Sequence, residues 1–234
     1  MLTLLRPDED SSKPGSRWAG VYRGVKDAIM GRRLMPGTKL PEDELAAIYA
    51  VSRTLVRAAL QALAHDRLVR LEPNRGAFVA HPSRKEARDV FEARALIESE
   101  VAAIAARKAK ADDIALLRHH LEREHEALHA GRDSDAILLS AGFHIGLAEI
   151  ADQSALTNIV RGLVSHSSLI ITLYWSRRDT TCQTDAHHDL VDAIEAHDAE
   201  AAARLMRRHL TDLMSGLDLS RGDKRPHKLS DILG

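Results

Sequence analysis

The chain has 234 residues and a formal net charge of −1, from 33 basic and 34 acidic side chains. That balance excludes a uniformly basic coat protein and an acidic disordered tail, and a hydrophobic content of 44% is enough to bury a core. Aromatics make up only 3%, and Ala and Leu carry most of the apolar mass, so the composition favours helix over strand. One cysteine, Cys182, rules out a disulfide framework and a Cys-based zinc finger, and it fits a reducing compartment. Residues 1–12 turn acidic too early for a signal peptide. No apolar run approaches the roughly 18 residues of a membrane span, so the expectation is a cytoplasmic protein with no membrane partner.

The near-zero charge hides an asymmetry. Residues 17–80 hold 11 Lys or Arg against 6 Asp or Glu, a net of +5, so the remainder is acidic. A small basic module on a larger acidic one points to nucleic acid at one end. Histidine is distributed the other way, with 11 of 13 beyond residue 81.

In chain order, the spacing predicts a first helix from Trp18 to Met30 with Val21, Val25, Ala28 and Ile29 on one face, stopped by Gly31. Residues 34–38 read as a turn. A short second helix starts near Pro41, with Glu42, Asp43 and Glu44 complementing its positive end and Leu45 and Ile48 on its apolar side. A third helix starts at Ser52, whose hydroxyl can cap it, and runs through Leu55, Val56, Ala59, Leu60 and Leu63. Two strand-like runs follow, residues 68–71 and 77–79, joined by a turn through Pro73, Asn74, Arg75 and Gly76. Three helices and a hairpin make a winged helix-turn-helix over residues 17–80.

The apolar face of the third helix turns inward, which leaves Ser52, Arg53, Thr54 and Arg57 around its N-terminal end. That is the end a recognition helix inserts into the major groove, where Arg grips guanine bidentately and Thr meets base or phosphate. Asn74, Arg75 and Gly76 sit at the wing tip, within reach of the minor groove or backbone. Isolated arginines on a surface helix are usually only solvated; here the basic module, the helix end and the wing converge on DNA contact.

The blocks Leu34 to Leu40, Glu44 to Ala46, Val51 to Leu60 and Pro73 to Val79 resemble the DNA-binding domain of the GntR family. Two positions depart from that pattern. Ala50 and Arg67 stand where the family usually has glycines with left-handed backbone angles.

Beyond a short hinge at residues 81–86 the pattern is helical throughout, with helices expected near 84–109, 112–130, 134–151, 154–176, 184–196 and 198–218 and a polar tail after them. The expected fold class is therefore mainly α, a winged helix-turn-helix followed by an all-α helical bundle over residues 84–218. His144, with Ile137, Ser140 and Leu147, faces inward; so do His187, with Leu190, Val191 and Ile194, and His209, between Leu205 and Leu213. One buried histidine is most often a hydrogen-bonded core residue, but three from separate helices of a bundle are how such folds build metal sites. His119, His120, His125 and His129 read as mostly solvated, although His125 and His129 have metal-compatible spacing. Arg94 interrupts the apolar stripe Val90, Ile97, Val101, Ile104 and needs an anionic partner. That partner is either an internal acid such as Glu92, Glu98 or Glu149, or the carboxylate of a bound effector.

Phe91 to Glu98, Phe143-His144 and the run from His187 to His209 resemble the FCD effector-binding domain of the FadR subgroup. In metal-binding members an Asp and three His surround a divalent ion, such as zinc, and an arginine of the first bundle helix can hold an acidic effector. The resemblance puts the histidine ligands on His144, His187 and His209, the arginine on Arg94, and the aspartate position on Ser140. Two states are open: three imidazoles plus water around a metal, or a metal-free pocket in which Ser140 and the histidines bind the effector directly. The resemblance implies a dimeric repressor, not an enzyme, that binds a two-fold DNA operator and answers to a small carboxylate. The alternative reading is a metal-dependent hydrolase using His144, His187 and His209, which lacks a carboxylate base where Ser140 stands.

Overall fold

The computed structural model describes residues 17–175, 181–218 and 233. The chain divides between Ser83 and Arg84 into two compact units.

The N-terminal unit contains α1 (Arg17–Met30), β1 (Lys39–Leu40), α2 (Glu42–Ile48), α3 (Arg53–His65), β2 (Val69–Glu72) and β3 (Gly76–Val79). Val21, Val25, Ala28 and Ile29 of α1 are fully buried against Val56, Ala59, Leu60 and Leu63 of α3. Gly24 of α1 leaves room for the Tyr49 ring that follows α2, which a side chain there would overlap. Tyr22 donates a hydrogen bond to the Asp66 carboxylate, tying α1 to the end of α3. Ser52 caps α3 as the sequence indicates, its Oγ accepting from Leu55 N–H at 3.4 Å, while Leu55 itself is only half-buried.

Two details of this unit correct the sequence reading. The sheet has three strands, antiparallel in the order β1-β3-β2, because Lys39 and Leu40 pair with Phe78 and Ala77. A two-residue strand is too short to show any periodicity. Helix α1 ends at Met30, just before Gly31 as the sequence indicates, and the left-handed residue beyond it is Arg32, at φ 55°. Pro41 precedes α2 as its N-cap instead of sitting in its first turn.

The C-terminal unit is a bundle of α4 (Arg84–Lys108), α5 (Ala111–His129), α6 (Asp133–Ile150), α7 (Ser154–Tyr174), α8 (Thr181–Glu195) and α9 (Ala199–Ser215). α4 is central: it packs most extensively on α9 and also touches α6, α7 and α8. The core joins Phe91 and Val101 of α4, Leu117 and Leu121 of α5, Phe143 and Leu147 of α6, Val164 and Ile170 of α7, Leu190 and Ile194 of α8, and Met206 and Leu210 of α9. Local chemistry sets the helix starts. Lys110 N–H donates to Asp113 Oδ2 at 3.0 Å before α5, and Asp198 Oδ1 accepts from Ala201 N–H at 2.9 Å before α9.

Helix α8 begins at Thr181, inside the polar run expected to be a break. The expected C-terminal tail lies outside the described residues, apart from Leu233. The expectation that no apolar run reaches membrane-spanning length is corrected at α7. This helix is long and apolar enough by length and composition, yet its face Val160, Val164, Ser167, Ser168, Leu169 and Ile170 is buried within the bundle.

Candidate DNA-reading helix and buried histidine cluster

At the N-terminal end of α3, Arg53, Thr54 and Arg57 are exposed, as the apolar register of the helix requires. Neither arginine is idle. Arg53 pairs with Asp43, and Arg57 grips Glu42 with both Nε (3.0 Å) and Nη2 (2.7 Å), so the acidic first turn of α2 neutralises the cationic end of α3. The bond from Arg57 lowers the Glu42 carboxyl below its ordinary range, against an opposing effect of burial. In the wing, Asn74 at φ 61° and Gly76 at φ 98° make the β2–β3 turn. Arg75 pairs with Glu72 and lies over the Phe78 ring, 5.5 Å from its centroid.

In the bundle, α6, α8 and α9 bring His144, His187 and His209 together, with one ring nitrogen of each within 4.8 Å of the others. All three are buried. His187 Nε2 and His209 Nε2 are 3.2 Å apart. Phe143 stacks on the His187 ring at 4.3 Å and holds its plane. Ser140 lies one turn before His144 on α6 and is half-buried.

The partner of Arg94 is an internal acid. Its Nε and Nη2 donate to Glu98 at 2.5 and 3.2 Å, its Nη1 donates to Ser167 at 2.8 Å, and its guanidinium lies 5.8 Å from the Phe91 ring centroid. Glu98 Oε2 also lies 2.7 Å from His144 Nδ1. Burial acts to raise the Glu98 carboxyl, but Arg94 and His144 outweigh it and hold it at about 2. Burial pushes His144 down to about 4, against the pull of Glu98, and pushes His209 well below its ordinary value. Both rings are therefore neutral at pH 7, the state in which imidazole donates a lone pair to a metal.

Two members of this network escaped the sequence reading. Glu124 of α5 is buried and lies 3.0 Å from His187 Nδ1, and burial, which would raise its carboxyl, is overcome by His187 and its neighbours. His120, expected to be solvated, is 2% exposed and contacts the Leu139 carbonyl through Nε2 at 2.6 Å. Its ring fits because Gly142 offers no side chain; a Cβ there would come within 3.0 Å. The available signal was the stripe Leu117, His120, Leu121, Glu124, in which polar side chains occupy one apolar face as Arg94 does in α4.

The donor set fits a divalent ion. Three imidazoles suit zinc and its neighbours, and two nitrogens held at about 2.0–2.1 Å on a tetrahedral ion stand about 3.3 Å apart, close to the His187–His209 separation. His144 Nε2, buried and without a hydrogen-bond partner among the described residues, is the kind of atom a metal would satisfy.

A winged helix-turn-helix joined to a helical bundle defines a two-domain transcription regulator, and the comparisons with known proteins agree. The family model "Bacterial regulatory proteins, gntR family" matches residues 18–79 and the FCD domain model matches residues 89–212, more than half of the chain. The chain belongs to the GntR family of transcription regulators and carries an FCD domain. It is 30% identical over 197 residues to the Uxu operon regulator of Haemophilus influenzae, covering 76% of this chain and 73% of that one. It is 27% identical over 194 residues to the transcriptional repressor RspR of Escherichia coli K12, covering 82% and 85%. Among solved structures, a GntR transcriptional regulator from Rhodococcus sp. RHA1 superposes with a TM-score of 0.71 at 26% identity, covering 85% and 96%. These families and relatives are transcription regulators, not enzymes, and lend the hydrolase reading no support.

Proposed function

We propose that this regulator is a homodimeric repressor of the FadR subgroup. Its α3 helices and wings read a two-fold operator, and its bundle holds a divalent metal beside a small carboxylate effector. The observation that carries the ligand part is the convergence of three buried imidazoles inside a regulator's helical domain, one with an Nε2 that has no hydrogen-bond partner among the described residues. His144, His187 and His209 would hold the ion, and when bound it would offer a carboxylate oxygen an open coordination position. Arg94 gives one hydrogen of each terminal nitrogen to Glu98 or Ser167, so a second N–H on each is available to a ligand. The repressor sense follows RspR, and homodimerisation is supported by Leu96 of α4 and Ile159 of α7, apolar side chains exposed at 64% and 46%. Ser52, Arg53, Thr54 and Arg57 of α3, with Asn74, Arg75 and Gly76 of the wing, are the DNA-reading set.

The test is a thermal-shift screen of mono- and dicarboxylates on protein loaded with zinc and on protein stripped by a chelator. A carboxylate that raises the Tm of the loaded protein and much less that of the stripped protein is the expected result. Equal responses in both states would remove the metal from effector binding, and no response to any carboxylate would overturn the effector class.

A further inference from the structure

Two buried acids stand behind the histidines, and their charges are balanced differently. Glu98, against His144 Nδ1, is cancelled by Arg94, which grips both of its oxygens. Glu124, against His187 Nδ1, has no cationic side chain paired with it among the described residues; its ion-pair contact is the His187 ring itself. Its side chain is 3% exposed, so water does not solvate the charge. The buried Glu124 carboxylate therefore acts on the cluster through the one ring it contacts, 3.0 Å away.

That contact sets which nitrogen His187 offers to the cluster. A carboxylate accepts and never donates when ionised, so the Glu124 contact places the ring proton on Nδ1. The lone pair is then on Nε2, the nitrogen 3.2 Å from His209 Nε2. Phe143 packs against the face of the ring at 4.3 Å. Ser140, on the same helix as His144, brings no negative charge to the cluster.

We propose that Glu124 is the anionic positioning residue of the metal centre: it accepts a hydrogen bond from Nδ1–H of His187 and so aims Nε2 at the ion. This rests on reading the three histidines as a metal site. Carboxylates behind metal-bound histidines fix the tautomer and raise ligand basicity, and their loss typically weakens metal affinity about 10- to 100-fold.

The test uses the full-length protein and Zn²⁺, titrated in competition with a chromophoric chelator. Glu124→Gln keeps a carbonyl acceptor for Nδ1–H but removes the charge, and is expected to weaken zinc about 10- to 100-fold. Adding Ser140→Asp to Glu124→Gln is expected to recover affinity. A measurement on the wild type stands beside these should the variant fold poorly. ¹⁵N NMR of the zinc-loaded protein is expected to show His187 protonated at Nδ1 and metal-bound at Nε2, a signature a purely structural glutamate would not produce. Wild-type zinc binding with an unaltered Glu124→Gln affinity, or with His187 ligated through Nδ1, would overturn this role for Glu124 and leave the metal site standing. A wild-type protein that binds no zinc and holds His187 as an imidazolium paired with Glu124 would overturn both.

Discussion

At Ala50 and Arg67 the backbone takes left-handed angles, φ 50° and 61°, that glycine adopts at no steric cost. Both are the residue after a helix C-cap. Val51 N–H reaches the Ala46 carbonyl and Ala50 N–H the Ala47 carbonyl; Leu68 N–H reaches Leu63 and Arg67 N–H reaches Ala64. These paired bonds close α2 and α3 in the Schellman arrangement, so the structure keeps the motif and the side chain bears the strain. Ala50→Gly and Arg67→Gly are each expected to stabilise the protein by up to about 1 kcal/mol, the left-handed strain less the added chain entropy. Denaturant unfolding checks this, and a loss of stability in both would mean that the native side chains make compensating contacts. The arginines of α3 carry a second expectation at this scale. Because Glu42 and Asp43 occupy Arg57 and Arg53, Glu42→Gln with Asp43→Asn is expected to strengthen DNA binding and steepen its salt dependence by about one phosphate contact per freed arginine. Anisotropy titrations at several salt concentrations report both quantities, and an unchanged slope would show that the acids do not compete with DNA.

Helix α6 carries the departure that matters most for ligand chemistry. Ser140 and His144 are one turn apart, so Ser140→Asp places a carboxylate on the face that carries a cluster histidine. With zinc supplied, the variant is expected to gain metal affinity and a higher Tm than wild type. Stripped of metal, it leaves an unpaired carboxylate at a half-buried position and is expected to melt lower. Melting curves with and without chelator decide this, and shifts of the same sign in both states would contradict a metal-centred cluster. What was legible at this scale follows from periodicity. Helix ends were read to within about three residues, and Arg94, His144, His187 and His209 were seen facing inward because apolar neighbours flank each of them. Glu124 and His120 were not, because two polar residues on one turn make a buried stripe look solvated. β1 left no pattern in two residues. The pairing of Arg94 with Glu98 was one of several options of equal merit in sequence, and only the packing of α4 against α7, which brings in Ser167, distinguishes it.

Across the whole molecule, a basic winged helix-turn-helix and a bundle with a buried polar network give acid and DNA responses that can be measured separately. Burial holds His144 at about 4 when folded against about 6.5 for an ordinary histidine, so its contribution is complete above pH 6.5 and is lost as pH falls toward 4. Glu98, at about 2 against 4.5, adds a second loss between pH 4.5 and 2. Metal-stripped protein is therefore expected to hold a steady Tm at pH 7 and above and to lose it from pH 6.5 downward. A Tm that rises on acidification from 6.5 to 5 would show that these rings are charged in the folded state. The most direct measurement of the central assignment is equilibrium binding of the full-length protein to the DNA flanking its own gene, by fluorescence anisotropy against scrambled DNA of equal length. The account predicts preference for one two-fold site by a factor of about 10³ or more, with Arg53→Ala and Arg57→Ala each costing about 1–3 kcal/mol where they read bases. Equal affinity for both DNAs, or wild-type binding by both arginine variants, would contradict it.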